Sequence, residues 1–421
     1  DVILACALAA SRGIELAGLL LTHASPISPA VQELAAPALN AGLPILRTRD
    51  DSFATAGLNG DLQLGGFRHE VSFGIDSEKR KIYRADLIRQ APRGTFDYTN
   101  PVYGNEVAGS KVSAPDSNQT DLLRSDSLFA QDSIHLTDQW ILVAGARFQK
   151  YDQLAGKAIP FKASTDTNGV KWIPRAGLVY RYTDELSFYG SYTESFKPNS
   201  SIAPLTGGVV LDSSVAPEEG KSWELGSKWQ DAQLTATVAL FNIDKQNVLT
   251  SQTDTATGDT LYRVAGRVRS RGLESEINGD LGDNWSGYAS YAYTDAEVID
   301  DPLLAGTAVD GVPKHMATLG LIHQWQGVFG GTLRAGAFSR YTGSWYIGNT
   351  KGAQYELPAS TVFDSMLAYD RKLAGYALRV QFNVKNLFDE TYYTSGVSNA
   401  NAPIVAIGEP RQFLLTTTVG F

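Results

Sequence analysis

The sequence predicts an all-β protein: an antiparallel transmembrane β-barrel of about 15 strands, truncated at its N-terminal side and preceded by a short α/β fragment. Two repeating patterns carry this prediction. Segments with period-two alternation of apolar and polar residues recur from Leu58 to the last residue, and tight and long connections alternate between them. In addition, no apolar run reaches the length of a membrane-spanning helix. The clearest segment, Leu378 to Lys385, has only apolar residues on one face and only polar residues on the other.

The predicted strands are joined by two classes of connection. Turn-forming residues fill the short connections at 183–185, 230–232, 281–284 and 373–375. The long connections lie at 84–120, 152–171, 197–219, 248–267, 296–311, 343–359 and 389–410. The strands between them lie at roughly 58–66, 69–83, 121–135, 140–151, 172–182, 186–196, 220–230, 233–247, 268–280, 285–295, 312–325, 331–342, 360–371, 376–388 and 411–421.

The alternation of connections also predicts an orientation. Outer-membrane barrels have short periplasmic turns and longer extracellular loops, so the final strand, which follows a long loop, would place Phe421 in the periplasm. Four tryptophans next to the inferred periplasmic turns fit an interfacial girdle: Trp140, Trp229, Trp285 and Trp325. Counted in this way, the strand at 58–66 lacks a preceding partner, and an odd number of strands departs from the even numbers usual for such barrels. We therefore expect a truncated barrel.

Residues 1–56 do not follow the barrel pattern. Helix-like and short strand-like segments alternate there, with strands at 16–22 and 43–46 of the kind found in parallel sheets. The amino-acid sequence of residues 1–23, together with the later segments AGLPIL and SFATA, resembles part of the N-terminal domain of bacterial phosphate acetyltransferases. This part of the chain has no phosphate-binding glycine loop and no acetyltransferase catalytic domain. The resemblance therefore implies no enzymatic role, and we expect two units, 1–56 and 58–421.

Several sequence segments between about 58 and 421 resemble the C-terminal part of TonB-dependent siderophore receptors. They are Phe188–Pro198, Pro217–Gly226 (PEEGKSWELG), Ala239–Ile243, Arg269–Glu274, Val384–Tyr393 and the segment from Gly408 to Phe421. The resemblance implies an outer-membrane receptor that takes up ferric siderophores with energy from the TonB complex acting on an N-terminal plug. It also implies two further partners. The barrel-assembly machinery would recognise the terminal Phe421, and outer-membrane lipid would surround the barrel. The plug domain, the TonB box and the family's full set of 22 strands are not found in this sequence.

Ligand contact is expected from aromatic residues on the predicted extracellular loops. The candidates by loop position are Tyr103, Tyr262, Trp345, Tyr346 and Tyr355. For each of them the alternative is that loop aromatics pack against one another. The protein needs no metal ligands or cofactor of its own, because the iron would travel inside its chelator.

Composition and motifs exclude several other classes of protein. A net charge of −9 argues against a nucleic-acid partner. The histidines His23, His69, His135, His315 and His323 lack metal-ligand spacing, and no catalytic serine or cysteine motif predicts an enzyme. The basic residues Arg263, Arg267, Arg269 and Arg271 favour a lumen or rim location, and the acid pairs Glu218-Glu219 and Asp300-Asp301 are expected to be solvated. A passive porin-like channel and a non-functional chimeric fragment remain the alternative functions.

Overall fold

In the computed structural model, 24 strands lie within the described residues, which are 19–22, 45–48, 52–84, 88–90, 110–112, 119–157, 160–199, 209–210, 216–253, 260–301, 304–348, 354–398 and 403–420. Within these ranges no helix has the length and apolarity needed to cross a membrane. In chain order the strands are β1 (Leu19–Thr22), β2 (Ile45–Thr48), β3 (Ser52–Leu64), β4 (Phe67–Arg84), β5 (Ile88–Gln90), β6 (Ser110–Val112), β7 (Gln119–His135), β8 (Trp140–Lys157), β9 (Lys162–Arg181), β10 (Leu186–Lys197), β11 (Val209–Val210), β12 (Glu218–Gln230), β13 (Leu234–Thr253), β14 (Thr260–Gly282), β15 (Trp285–Asp300), β16 (His315–Val328), β17 (Gly331–Thr342), β18 (Trp345–Ile347), β19 (Tyr355–Leu357), β20 (Ser360–Leu373), β21 (Tyr376–Lys385), β22 (Tyr393–Ser398), β23 (Pro403–Ile407) and β24 (Gln412–Gly420).

One large antiparallel sheet contains every strand predicted between 58 and 421. Its order is β3-β4-β7-β8-β9-β10-β12-β13-β14-β15-β16-β17-β20-β21-β24, so each strand pairs with the long strands before and after it in the chain. The all-β prediction and the count of about 15 strands are confirmed. Because neighbours alternate in direction, β3 and β24 at the two edges run the same way, and no described pairing joins them.

The two faces of the sheet differ in polarity as period-two alternation requires. One row across seven strands is apolar: Leu142, Leu178, Gly190, Leu225, Leu240, Leu273 and Tyr293. A row on the opposite face is mostly polar: Ser187, Lys228, Thr237, Glu276, Ser290, Thr318 and Arg340. Such a sheet suits lipid on the first face and a hydrated lumen on the second. We call these the outward and the inward face.

Short connections gather at one end of the sheet, which we call the turn end. Two-residue turns with positive φ at both positions, such as Asp283 (50°) and Asn284 (62°), have the type I′ geometry that matches the twist of paired strands. The four tryptophans predicted for a girdle all lie near this end and are 39–43% exposed: Trp140, Trp229, Trp285 and Trp325. Aromatic rings also contact each other there: the Trp140 and Tyr180 centroids are 4.5 Å apart, with the ring planes tilted by 31°.

The opposite end, the loop end, holds the long connections, but two of the predicted loops are mostly strand. The connection predicted at 152–171 shrinks to the residues between Lys157 and Lys162, and the one at 248–267 to those between Thr253 and Thr260. Both hairpins continue well beyond the apolar band. Since apolar and polar residues do not alternate there, as in Val248-Leu249 paired with Val264-Ala265, the period-two signal disappears while the backbone hydrogen bonds continue. Sequence alone therefore placed these strand ends too early.

Before residue 52, the structure describes only two short strands. Leu19–Thr22 and Ile45–Thr48 pair in parallel, as the predicted strand type requires. The two helices predicted near 2–10 and 29–39 lie outside the described residues. The first long strand of the large sheet begins at Ser52, six residues before the predicted strand.

Candidate functional site

Three segments meet at the loop end and form the candidate site. They are the stretch 304–311, the hairpin of β18 and β19, and the hairpin of β22 and β23, which we call together the loop cluster. Its core consists of Trp345 (7% exposed), Ile347 (1%) and Leu357 (7%), with Tyr393 and Val405 packed against it. The two hairpins therefore share a small apolar core above the sheet.

A glycine allows this close contact between the hairpins. A Cβ atom added to Gly396 in β22 would lie 2.9 Å from Cδ1 and 3.1 Å from Cγ2 of Ile347. Real Cβ contacts are almost never that short. The absence of a side chain at Gly396 therefore lets β22 pack directly on the Ile347 side chain.

A polar network joins the first segment to the β18–β19 hairpin. The Gly348 N–H donates to Asp310 Oδ2 at 3.1 Å, and Gln354 Nε2 donates to the carbonyl oxygens of Ala308 and Gly348, both at 3.0 Å. The Gly311 N–H donates to the Tyr346 carbonyl at 2.9 Å. Although Asp310 keeps contact with solvent, partial burial of its carboxyl between these segments raises its pKa, against the opposing effect of the hydrogen bonds from Gly348 and Gln354.

We expect the loop cluster to become more stable as the pH falls toward the usual carboxyl range. A raised pKa in the folded state means that Asp310 contributes stability when protonated, and this contribution is lost as the pH rises through the raised value. Hydrogen exchange of the Gly348 amide, corrected for intrinsic rates between about pH 3 and pH 7, should show stronger protection at the acidic end. The variant Asp310→Asn keeps an acceptor for Gly348 but cannot titrate, so its protection should be independent of pH. An unchanged pH dependence in this variant would contradict the assignment.

A buried asparagine holds the base of the β22–β23 loop. Asn386 is 3% exposed, has a φ of 49°, and donates from Nδ2 to the carbonyl oxygens of Glu390 (2.8 Å) and Glu409 (3.1 Å). Its Oδ1 accepts from the Glu390 N–H at 2.8 Å. Asp389 accepts from the Arg411 N–H at 2.8 Å. These bonds join the two ends of the loop, so the Asn386-Leu387-Phe388-Asp389 segment holds its base.

A second asparagine network that joins loop ends lies at the start of β12. Asn199 Nδ2 donates to the carbonyl oxygens of Ala216 and Asn247, both at 2.8 Å, and Asn247 Nδ2 donates to that of Pro217 at 2.9 Å. The expectation that the neighbouring acid pair is solvated was wrong. Glu218 accepts from Lys245 at 3.1 Å, and Glu219 lies 2.7 Å from Lys171.

Of the second acid pair, Asp300 is exposed as expected, but Asp301 is buried. Asp301 is 3% exposed, and its Oδ1 accepts from the Leu304 N–H at 2.9 Å. Asp301 therefore caps the turn that leads into the first segment of the loop cluster. Two adjacent acidic residues in a sequence do not by themselves indicate such a cap.

The predicted ligand-contact residues and the predicted assembly signal, Phe421, fall into three groups. Tyr103 and the terminal Phe421 lie outside the described residues. Tyr262, predicted on a loop, lies within β14 opposite Ser251 of β13, because that hairpin extends beyond its predicted ends. Trp345, Tyr346 and Tyr355 all lie in the β18–β19 hairpin.

Within that hairpin the three aromatics have different surroundings. Trp345 belongs to the buried core of the loop cluster, so packing, the alternative to ligand contact, describes its present environment. Tyr355 is 40% exposed, and Tyr346 is partly exposed on the other face of the hairpin. Ligand contact by these residues stays a prediction.

The basic residues and histidines make internal pairs. Arg269 lies 3.6 Å from Glu297, Arg271 lies 3.2 Å from Asp295, and Arg267 lies 3.6 Å from Asp244. His69 contacts Asp132 at 2.7 Å. In the part of the chain that the structure describes, no three His, Cys, Asp or Glu side chains are grouped so that they could hold a metal ion.

A sheet with an apolar outward face, a polar inward face, tight turns at one end and long loops at the other defines a transmembrane β-barrel receptor or channel. A family model described as "TonB dependent receptor-like, beta-barrel" matches residues 31–387. This chain belongs to the TonB-dependent receptor family, whose members are outer-membrane transport receptors rather than enzymes. The family binds ferric siderophores and interacts with TonB. A second model, described as a DRTGG domain, matches residues 1–59.

Curated relatives agree with this assignment. An uncharacterized TonB-dependent receptor of Haemophilus influenzae is 34% identical over 76% of this chain and 94% of its own length. The metal-pseudopaline receptor CntO of Pseudomonas aeruginosa is 30% identical over 88% of this chain and 51% of its own. The ferrichrome outer membrane transporter/phage receptor of Escherichia coli is 30% identical over 71% and 38%. The chain thus spans nearly all of the first relative, about half of the second and 38% of the third.

Solved structures share the fold. The ferric-catecholate import receptor Fiu from E. coli has a TM-score of 0.69 at 24% identity, covering 87% of this chain and 54% of its own. The ferric citrate transporter FecA has a TM-score of 0.67 at 22% identity, covering 88% and 54%. At these identities the likeness concerns the fold alone.

Proposed function

We propose that this chain forms the ligand-receiving part of an outer-membrane receptor for a ferric siderophore, with the loop end outside the cell and the C-terminus in the periplasm. The observation that carries the proposal is the loop cluster, in a chain whose family binds ferric siderophores. Its shared core and polar network hold Tyr346 and Tyr355 on a rigid hairpin. A binding site gains affinity when its contact residues are ordered before the ligand arrives.

The remaining parts of the proposal concern how the barrel is completed. Since β3 and β24 run in the same direction, a fully antiparallel barrel needs an odd number of additional strands between them. We infer that such strands, and a plug on which TonB acts, complete the receptor. We also propose that the α/β fragment predicted at 1–56 forms a unit separate from the barrel residues 58–421, with the difference that residues from Ser52 onward already belong to β3 of the sheet. The barrel-assembly machinery would recognise the C-terminal segment that ends at Phe421.

We expect ferric siderophores to bind the purified chain through the exposed tyrosines of the loop cluster. Aromatic contacts contribute about 0.5–1.5 kcal/mol each, so Tyr346→Ala and Tyr355→Ala should each weaken binding by about twofold to tenfold. Titration of a panel of hydroxamate, catecholate and carboxylate chelates, followed by quenching of intrinsic fluorescence, would measure this. Tyr182→Ala, an exposed tyrosine at the turn end, is the matched control and should bind as the parent chain does.

Two results would count against the proposal. The absence of binding by every ferric chelate in the panel would contradict a receptor function of this chain. Equal losses in the loop-cluster and turn-end variants would contradict the placement of the site.

A further inference from the structure

Several oxygen atoms of the loop cluster converge on one point, which the amide nitrogen of Gln354 fills. This nitrogen lies 3.0 Å from the carbonyl oxygens of Ala308 and Gly348 and 3.4 Å from Asp310 Oδ1. An amide group has only two N–H bonds to donate, so three acceptors surround a donor that can satisfy two of them. This surplus of oxygen atoms indicates a position suited to a cation.

The backbone on the first side of this point orients the Ala308 carbonyl. Ala308 forms a single antiparallel bridge with Glu297 of β15. The N–H of Val309 donates to β15 at 3.1 Å, and the carbonyl of Thr307 accepts from β15 at 3.0 Å. Because successive peptide groups point to opposite sides of an extended chain, the Ala308 carbonyl faces away from β15 and toward Gln354.

The backbone on the second side orients the Gly348 carbonyl. Gly348 has a φ of 101°, a conformation that glycine adopts without strain. Its N–H faces Asp310 Oδ2 at 3.1 Å, while its carbonyl oxygen faces Gln354. The second carboxylate oxygen of Asp310, Oδ1, therefore stays directed at the point of convergence. These oxygens are held in place by the fold of the two segments.

The charge of Asp310 is not compensated by a basic side chain. In the part of the chain that the structure describes, its partners are the neutral N–H groups of Gly348 and Gln354. Partial burial without a positive partner disfavours the carboxylate, which is why its pKa is raised. A bound cation would supply the missing positive charge at the position where the oxygens already converge.

We propose that the loop cluster binds a calcium ion between Asp310, the carbonyl oxygens of Ala308 and Gly348, and the side-chain oxygen of Gln354. Turning the Gln354 amide through a half-turn exchanges its nitrogen and oxygen, so that four oxygens meet at one point. A cation at the centre stabilises that state, whereas the amide nitrogen fills the same position in the absence of calcium. Asp310 keeps contact with solvent, so water can complete the set of about six to eight oxygen ligands that calcium takes.

The ligand set favours calcium over other metal ions. Calcium binds carbonyl and carboxylate oxygens at about 2.3–2.6 Å in irregular geometry, whereas magnesium requires a regular octahedron at about 2.0–2.1 Å. The site needs only one acidic side chain, because backbone carbonyls also serve as calcium ligands. It offers no nitrogen or sulfur ligand of the kind that softer metals prefer. With a single carboxylate we expect weak binding, with a Kd of about 0.1–1 mM, as in extracellular calcium modules.

Calcium would join two segments of the loop cluster. Ala308 and Asp310 belong to the stretch 304–311, whereas Gly348 and Gln354 follow β18 and precede β19. The ion would therefore hold the β18–β19 hairpin against the first segment more firmly than the amide of Gln354 does. The inference rests on the proposed function only for the placement of this site outside the cell.

The test uses the full chain in nonionic detergent, freed of calcium with EGTA and then titrated with calcium chloride at neutral pH. Isothermal calorimetry should give a Kd of about 0.1–1 mM. Hydrogen exchange of the Gly311 and Gly348 amides should become slower, because both groups bond across the junction of the two segments. Magnesium chloride at the same concentrations should give little of this protection, because the irregular ligand set does not form an octahedron.

Two variants alter the site in opposite directions. Asp310→Asn keeps an acceptor for Gly348 but removes the charge, and it should weaken calcium binding at least about tenfold. Gln354→Glu adds a second carboxylate and should strengthen binding about tenfold, because the affinity of calcium sites depends on the number of charged ligands. Glu390→Gln removes an exposed carboxylate elsewhere at the loop end and is the matched control, so it should bind calcium as the parent chain does.

Four outcomes would overturn the inference: no calcium-dependent protection up to about 10 mM calcium, equal effects of magnesium and calcium, unchanged binding by Asp310→Asn, or an equal loss in Glu390→Gln. Should Asp310→Asn not fold, Gln354→Glu decides, since misfolding does not strengthen binding and a missing gain would contradict the site. Siderophore binding is measured separately in calcium-free buffer. Failure there with the calcium response intact would count against the proposed function alone.

Discussion

Replacing Asn386 with alanine should detach the loop that carries β22 and β23. The variant leaves two carbonyl oxygens and one N–H of a buried loop base without their partner, because Asn386 is 3% exposed and makes all three bonds. Unpaired buried polar groups cost about 1–3 kcal/mol each, and partial access of water reduces the sum, so we expect a loss of about 2–4 kcal/mol. Native-state hydrogen exchange of the Glu390 and Tyr393 amides would measure the free energy of opening.

The control for Asn386 lies three residues earlier, in β21. Asn383→Ala removes an amide that only accepts a hydrogen bond from Gln381 on the inward face, so it should change the opening energy by less than about 1 kcal/mol. Asn386→Gly separates the two roles of the side chain, because glycine tolerates the positive φ but lacks the amide. Comparable results for Asn386→Ala and Asn383→Ala would show that the amide network does not hold the loop.

Replacing Ile347 with alanine should separate the two hairpins of the loop cluster. Ile347 is 1% exposed, and truncation of a buried isoleucine costs about 2–5 kcal/mol, part of it for the cavity that remains. The loss should concentrate in the hairpins, which we expect to see as faster hydrogen exchange at residues 345–347 and 393–397 with the barrel strands unchanged. Ile404→Ala in β23 is the matched control, because that isoleucine is 60% exposed and should contribute less than about 0.5 kcal/mol.

A double-mutant cycle sharpens the test of Ile347. Gly396→Ala should destabilise the parent chain, because its Cβ would lie 2.9 Å from Ile347 Cδ1. In the Ile347→Ala background the same change should cost less, since the new methyl group would enter the space left by the isoleucine. Additive effects of the two substitutions would contradict direct packing of Gly396 on Ile347.

The strands of the barrel were predictable because each lies between two different environments. A residue of β21 such as Phe382 faces outward and its neighbour Gln381 faces inward, so the sequence itself records the alternation. The turns were predictable for a related reason. Asp283 and Asn284 tolerate the positive φ that a two-residue hairpin requires, whatever the rest of the fold. The parallel pairing of Leu19–Thr22 with Ile45–Thr48 likewise follows from short, continuous apolar runs.

The loop end was predicted less well, because apolar and polar residues do not alternate regularly in the strand ends there. Tyr262 was placed on a loop for this reason, although β13 and β14 continue past it. This limit affected the prediction of the candidate site most. Trp345 and Tyr355 could be chosen only as loop aromatics. The sequence does not show that the Trp345 ring is buried and the Tyr355 ring exposed.

By itself, the sequence determined the fold class, the strand order, the two ends of the barrel and the resemblance to a receptor family. These properties are local or periodic, and each strand carries its own evidence for them. Only the tertiary structure decided that Ile347 packs on Gly396, that Asn386 joins the two ends of one loop, and that Lys79 faces Arg124 while Arg269 faces Glu297. Such contacts join residues distant in the chain, and their register depends on the pairing of whole strands, which no local pattern encodes.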